Sequence, residues 1–123
     1  MKSSIEISVK THYLQRESYP EGSQFVFVYQ IKISNLGVLS VTLVSRHWII
    51  TNANQTRREV RGEGVVGQQP VINANDSFTY SSSVVLDTPT GTMHGTYQLE
   101  SESGDQFDAA IAPFFLVTPT SVH

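Results

Sequence analysis

Between Arg46 and Pro70 the chain reads RHWIITNANQTRREVRGEGVVGQQP, and this stretch gathers most of the residue types able to do chemistry. It holds the single tryptophan, four of the eight basic residues and three of the eight glycines, the last in Gly62-Glu63-Gly64-Val65-Val66-Gly67. In a dinucleotide-binding fold such a glycine string joins a strand to a helix, whose free N–H groups and positive dipole end hold a pyrophosphate. Here Gln68-Gln69-Pro70 and further strand-like sequence follow, so no helix is expected to supply that field. Nor does a Lys-Ser/Thr pair follow, as a P-loop requires. Gly62, Gly64 and Gly67 are expected to permit positive φ, a bulge or a close crossing of the sheet. The alternative is a ligand loop that cradles an anion with backbone N–H groups.

The same stretch carries a run of charge. Along a strand, alternation puts Arg57, Glu59, Arg61 and Glu63 on one face and Arg58 with Val60 on the other. Interleaved opposite charges predict an ion-pair ladder on an exposed sheet edge, which resists aggregation yet offers its backbone to a partner. Arg57, Arg58, Glu59 and Arg61 are therefore the candidate partner-binding residues. Just upstream, Arg46 and Trp48 share one face and His47 takes the other. With Trp48 in the core, Arg46 is expected at the core's rim, paired with an acid or a carbonyl. No Ser/His/Asp arrangement can be read from the spacing, so no catalytic residue is nominated.

Metal ligation has little to build on. His12, His47, His94 and His123 lie singly, without the close pairing of zinc sites, and there is no cysteine. Glu100, Glu102, Asp105 and Asp108 flank a turn and could offer oxygens to Mg²⁺ or Co²⁺. Acids around a tight turn are more often simply solvated. No metal site and no cofactor are expected.

The elements that position these groups all read as strands. Ile5, Ile7 and Val9 alternate, predicting a first strand from about Ser4 to Arg16. Phe25 to Ile33 is the most apolar strand, with its odd positions forming one buried face. Val41 to Thr51 is the third, with Val44, Trp48 and Ile50 on one side and Val41, Leu43 and Ile49 on the other. Asn52 to Gln55 tolerates left-handed backbone and predicts a hairpin loop into TRREVRG. Residues 62–75 read as loop, followed by strands over Phe78–Leu86, Thr92–Glu102 and Gln106–Val117. Pro113 marks an edge or a bulge in the last of these, because it cannot donate to a ladder. No window shows helical periodicity.

About seven strands with turns between them predict an all-β, immunoglobulin-like (fibronectin type III-like) antiparallel sandwich, one domain spanning residues 1–123. Trp48 on the third strand and Gly95-Thr96-Tyr97-Gln98-Leu99 on the sixth fit that class. Tyr97 is expected to make a corner bond, and Leu99 takes the place of a disulfide cysteine. Residues 1–63 hold all eight bases against five acids, and residues 64–123 hold six acids and no base. A net charge of -3 with no large basic face argues against nucleic acid. MKSSIEISVK lacks the apolar run of a signal peptide, and no stretch approaches a membrane span. The expectation is a cytoplasmic protein without membrane insertion, a monomer or weak homodimer.

Three blocks, SRHWIITNAN, VRGEGVVGQQP and SFTYSSSVVLDTPTGTMHGTYQL, occur in order and resemble the ApaG family, as does the closing FDAAIAPFFL. The resemblance covers essentially the whole chain. It implies a fibronectin type III-like sandwich and maps the family's glycine motif onto Gly62, Gly64 and Gly67. It further implies an association with cobalt resistance and magnesium efflux, and a protein-interaction role like that of related domains in F-box proteins. Together these readings predict a non-enzymatic module with an unidentified protein partner. The alternative is a pyrophosphate-, nucleotide- or divalent-cation-binding protein that uses the glycine loop or the acidic hairpin.

Overall fold

The computed structural model describes residues 4–119. His123 lies outside them. Eight strands run in order: β1 (Ile5–Tyr13), β2 (Phe25–Asn35), β3 (Val41–Asn52), β4 (Arg57–Glu63), β5 (Val71–Ile72), β6 (Ser77–Leu86), β7 (Thr90–Ser101) and β8 (Gln106–Val117). One sheet has the order β1-β2-β6, and the other has β4-β3-β7-β8 with β5 added on β3. All pairings are antiparallel. The fourth strand lies beside the third rather than beside β6, as a fibronectin type III-like sandwich requires.

The core forms where the two inner faces meet. Phe27, Tyr29, Ile31 and Ile33 of β2 are buried, as the odd-position pattern predicts. Trp48 sits at the centre, with ring centroids 5.4 Å from Tyr29, 5.9 Å from Phe114 and 6.3 Å from Tyr97. These contacts are edge-on, the arrangement ring quadrupoles favour.

Several expectations are corrected. The first strand stops at Tyr13, and Gln15–Glu17 coil into a 3-10 turn rather than extending to Arg16. The division of the third strand into two faces fails because β3 contains a bulge between Leu43 and Ser45. Val44 is the extra residue, so the parity of the strand changes there. Val41 and Leu43 before it and Trp48 and Ile50 after it all face the core. Ile49 and Val44 are only partly buried.

The expected loop over 62–75 contains the end of β4 and the short strand β5, which pairs Val71 with Thr42 and Ile72 with Val41. Asn35 holds this end together. Its buried amide donates to the carbonyls of Leu39 (2.8 Å) and Ile72 (2.9 Å) and accepts from Gly37 N–H (3.0 Å). The sixth expected strand starts at Thr90 and ends at Ser101. Pro113 falls where expected: Met93 pairs with Phe114 and Gly95 with Ile111, leaving Ala112 and Pro113 in a bulge on edge strand β8.

Tyr97 does not make the expected corner bond to backbone. It lies well inside β7, fully buried, and its hydroxyl pairs with that of Tyr80 on β6. Burial pushes the Tyr80 phenol up to about 12, and it raises that of Tyr97 further still. Leu99, in the place of a disulfide cysteine, is core.

Candidate functional site at the glycine hairpin and its strand edge

The loop between β3 and β4 is fastened by Asn52, whose side-chain oxygen accepts from the N–H groups of Asn54 and Thr56, both at 2.9 Å. The left-handed residue of this loop is Gln55, at φ 68. β4 then returns along β3 with Arg57, Arg58, Glu59, Val60, Arg61 and Glu63 all exposed. Among the described residues no strand pairs with its outer side.

The charge pattern is only partly the ladder expected. Glu59 meets His47 across the strands at 2.7 Å and Arg61 at 3.6 Å. The His47 hydrogen bond, chiefly, holds the Glu59 carboxyl below its ordinary range. Among the described residues Arg57 and Glu63 form no ion pair, so the ladder has one acidic centre rather than alternating rungs. Arg58 turns to the inner side and donates Nη2–H to the Val85 carbonyl of β6 at 2.8 Å.

The glycine string makes a second, tighter hairpin. Val65 N–H donates to Gln68 C=O (2.8 Å) and Gln68 N–H to Val65 C=O (2.9 Å). Val66 at φ 42 and Gly67 at φ 79 form its two-residue turn, both in the left-handed region. A β-branched residue is strained there, so surrounding structure must impose the conformation. The anchors are visible. Val65 is fully buried. The carbonyl of bulged Val44 accepts from Gly64 N–H at 2.8 Å and from Gln69 Nε2–H at 2.9 Å. Arg46 Nη1–H donates to the carbonyls of Glu63 (3.1 Å) and Gly64 (2.7 Å). The rim position and carbonyl partners expected for Arg46 are thus observed.

Each glycine answers a different demand. A Cβ at Gly62 would meet the Arg46 guanidinium at 2.8 Å, so this glycine is the gap across which Arg46 reaches the hairpin. A Cβ at Gly64 would stand 1.9 Å from the Gln68 carbonyl oxygen. Gly67 has open space around it and serves only its backbone angle. Gly67→Ala is accordingly expected to cost about 1–2 kcal/mol, the usual cost of left-handed backbone at a non-glycine residue. Calorimetry should read this as a fall in Tm of roughly 4–8 °C. An unchanged Tm would contradict the turn.

For an anion, the hairpin has few donors left. The N–H groups of Gly64, Val65 and Gln68 are all consumed by carbonyls within the fold. The described residues include no α-helix. The acidic hairpin is also locally engaged: Glu102 accepts from Ser40 N–H (2.7 Å), Glu100 from Gln106 (3.3 Å) and Asp105 from Ser103 (3.2 Å). Among the described residues no three His, Asp or Glu side chains converge as a metal site. His12 lies on β1, His47 on β3 and His94 on β7.

Two features were not anticipated. One is the Arg46–Gly62 stack, whose signal was the cross-strand pairing of those positions once the β3–β4 hairpin is drawn. The other is a cleft of about 300 Å³ between the sheets at the β4–β6 side, lined by Arg46, Trp48, Arg58 and Ser82 among others. Trp48 Nε1 is the one buried side-chain polar atom among the described residues with no hydrogen-bond partner.

Fold and hairpin together define a fibronectin type III-like sandwich that docks a glycine hairpin on a bulged strand beside an open edge. A family model described as the ApaG domain matches residues 15–101, and the chain belongs to the ApaG family. Protein ApaG of Pseudomonas putida is 53% identical over 119 residues, covering 97% of this chain and 94% of the relative. Protein ApaG of Shewanella baltica is 50% identical over 123 residues, covering 100% and 98%. Among solved structures, a Bordetella pertussis protein described as ApaA superposes with a TM-score of 0.91 at 43% identity, covering 94% of each chain. No helix among the described residues is long and apolar enough to cross a membrane.

Proposed function

We propose that this ApaG domain is a non-enzymatic protein-interaction module that works in the cytoplasm. It engages its partner through the β4 edge, Arg57, Arg58, Glu59 and Arg61, together with the adjoining glycine hairpin. The observation that carries the reading is the combination of an unpaired strand edge and a rigidly docked hairpin on one side of the sandwich. An edge strand offers a row of backbone donors and acceptors, and its mixed charges then select among partners. Family membership fits a role in cobalt resistance and magnesium efflux carried out through such a partner.

The register identifies the free groups. Gly64 N–H donates to Val44 C=O around the Ser45–Glu63 pair, so Arg57, Glu59, Arg61 and Glu63 turn their backbone away from β3. Their side chains stand on the outer face beside His47. The double variant Arg57→Glu with Arg61→Glu is expected to lose the partners that the wild-type protein captures from its native cells. Its Tm should stay within about 2 °C of wild type, because exposed ion pairs contribute little. Partner recovery unchanged by the double variant would refute this use of the edge.

A direct ligand role is the second reading, favoured by the cation-lined cleft beside the hairpin more than by the glycines themselves. A thermal shift with nucleotides, pyrophosphate, Mg²⁺ or Co²⁺ would support it, since a ligand bound only by the folded state stabilises that state.

A further inference from the structure

β6 is an edge strand too, bonded to β2 on one side and, among the described residues, to no strand on the other. The direction of its free groups follows from the register. Ser34 pairs with Ser77, and Asn35 N–H donates to Asp76 C=O at 2.9 Å, which marks Ser34–Ser77 as a non-hydrogen-bonded pair. Ser77, Thr79, Ser81, Ser83 and Val85 therefore turn their N–H and C=O groups outward. Arg58 confirms the direction by bonding to the Val85 carbonyl.

The other edges are guarded and this one is not. β4 carries five charged side chains, β8 carries the Pro113 bulge, and β1 carries Glu6, Lys10 and His12 and packs near β8. Over its ten residues β6 has no charge, proline, glycine or bulge. Natural sheets rarely leave a long edge in that state unless something pairs with it.

The space beside β6 has its own chemistry. The cleft of about 300 Å³ adjoins a second of about 280 Å³, and the two share Ile50, Arg58 and Val85. The first is lined by no acid; the second has only Asp87, which accepts from Asn52 at 2.9 Å. Neither Arg46 nor Arg58 has a carboxylate within ion-pair distance among the described residues. Two unneutralised guanidiniums thus stand above a floor of Trp48, Ile50 and Met93.

We propose that β6 is a strand-addition site for an extended acidic segment of a partner protein, whose carboxylates reach Arg46 and Arg58. The inference rests on the interaction reading and adds β6 to the β4 edge as a backbone contact. An added strand pairs its backbone with the outward groups of Ser77 to Ser83, the Val85 carbonyl being held by Arg58, and sends alternate side chains into the cleft. Carboxylates alternating with aliphatic side chains match the two guanidiniums and the apolar floor. A second copy of this chain fits less well, because β6 brings no acidic side chain. A free phosphate would meet the guanidiniums but leave the strand edge unused.

The test is selection of a displayed library of random dodecapeptides on the full chain, with the survivors measured by fluorescence polarisation. Survivors are expected to carry Asp or Glu at alternate positions and to bind at least about ten-fold more tightly than their Gln versions, a difference near 1.4 kcal/mol. Ser81→Pro removes an outward N–H while sparing the β2 ladder, and should weaken binding by a similar factor. Ser81→Ala keeps the N–H and should bind normally. Arg46→Met with Arg58→Met should abolish the preference for Glu over Gln. If Ser81→Pro does not fold, amide shifts of wild-type protein confined to Ser77–Val85 on peptide addition serve instead.

Survivors without acidic enrichment, or indifferent to these changes, overturn the proposal. So does inorganic phosphate displacing the peptides while Ser81→Pro has no effect, which would mark a small-anion site. A concentration-dependent dimer lost in Ser81→Pro would assign the edge to a second copy instead. Loss of cellular partners in Arg57→Glu with Arg61→Glu, alongside peptides that ignore β6, would sink this inference and leave the interaction reading standing.

Discussion

Gly95→Ala is expected to lower the urea midpoint of unfolding by about 2 M, a loss of roughly 3–5 kcal/mol at an ordinary m-value. A Cβ built at Gly95 would lie 1.9 Å from the His47 carbonyl oxygen and 3.1 Å from the Trp48 Cα. Relief requires β3 and β7 to part by more than an ångström, and neither is free to move. β7 is held by β3 on one side and β8 on the other, and Trp48 is locked among three aromatic rings. The clash at Gly64 is as close, but a hairpin tip can shift outward and a central strand cannot. Domains of this size have about 5–15 kcal/mol in total, so much of the stability would go. A midpoint within about 0.5 M of wild type would show that the strands separate more easily than their packing implies.

The second large effect is alkaline. Tyr80, pushed up to about 12 mainly by burial, and Tyr97, raised further by burial and by its neighbour Tyr80, stay protonated in the fold. In the unfolded chain both ionise near 10. A folded-state pKa raised above the unfolded one gives stability that is complete below pH 10 and lost as pH rises through the folded value. For Tyr80 alone, the rise from 10 to about 12 means a loss on the order of 2–3 kcal/mol, complete only above pH 12. Tyr97 adds to this. Near-UV circular dichroism should collapse cooperatively between about pH 10 and 12, with the phenolate absorbance of both tyrosines rising in the same step. Replacing both with Phe should move that collapse to higher pH. Phenolate absorbance that rises fully while the dichroism persists would refute the buried pair.

How much of this was legible in the residues depended on whether local pattern or distant contact decides the outcome. Odd-position burial in β2 follows from alternation alone. The Asn52–Gln55 turn follows from residue type, and the Pro113 bulge from a missing donor. The family was legible in blocks such as SRHWIITNAN. The paired faces of β3 do not follow from alternation, because nothing local marks Val44 as an extra residue. Its bulge exists because the carbonyl is drawn to Gly64 and Gln69, which come twenty or more positions later. β5 is not legible for a related reason, since two residues carry no periodicity and Asn35 supplies the anchor. At the candidate site, TRREVRG announced an exposed edge. The bare edge of β6 was equally visible in SFTYSSSVVL, but only the topology reveals that this strand has a free side.

The bulge at Val44 also acts as a frame marker for the chain. Residues ahead of it are in one reading frame relative to the core and residues behind it in the other, so one inserted residue decides which side of the sheet Arg46 faces. Excising it would leave the net charge and the Gly62, Gly64 and Gly67 spacing untouched, yet turn Arg46 and Trp48 outward and put His47 inside. The position of the hairpin is thus written less in its own glycines than in a one-residue offset on the neighbouring strand.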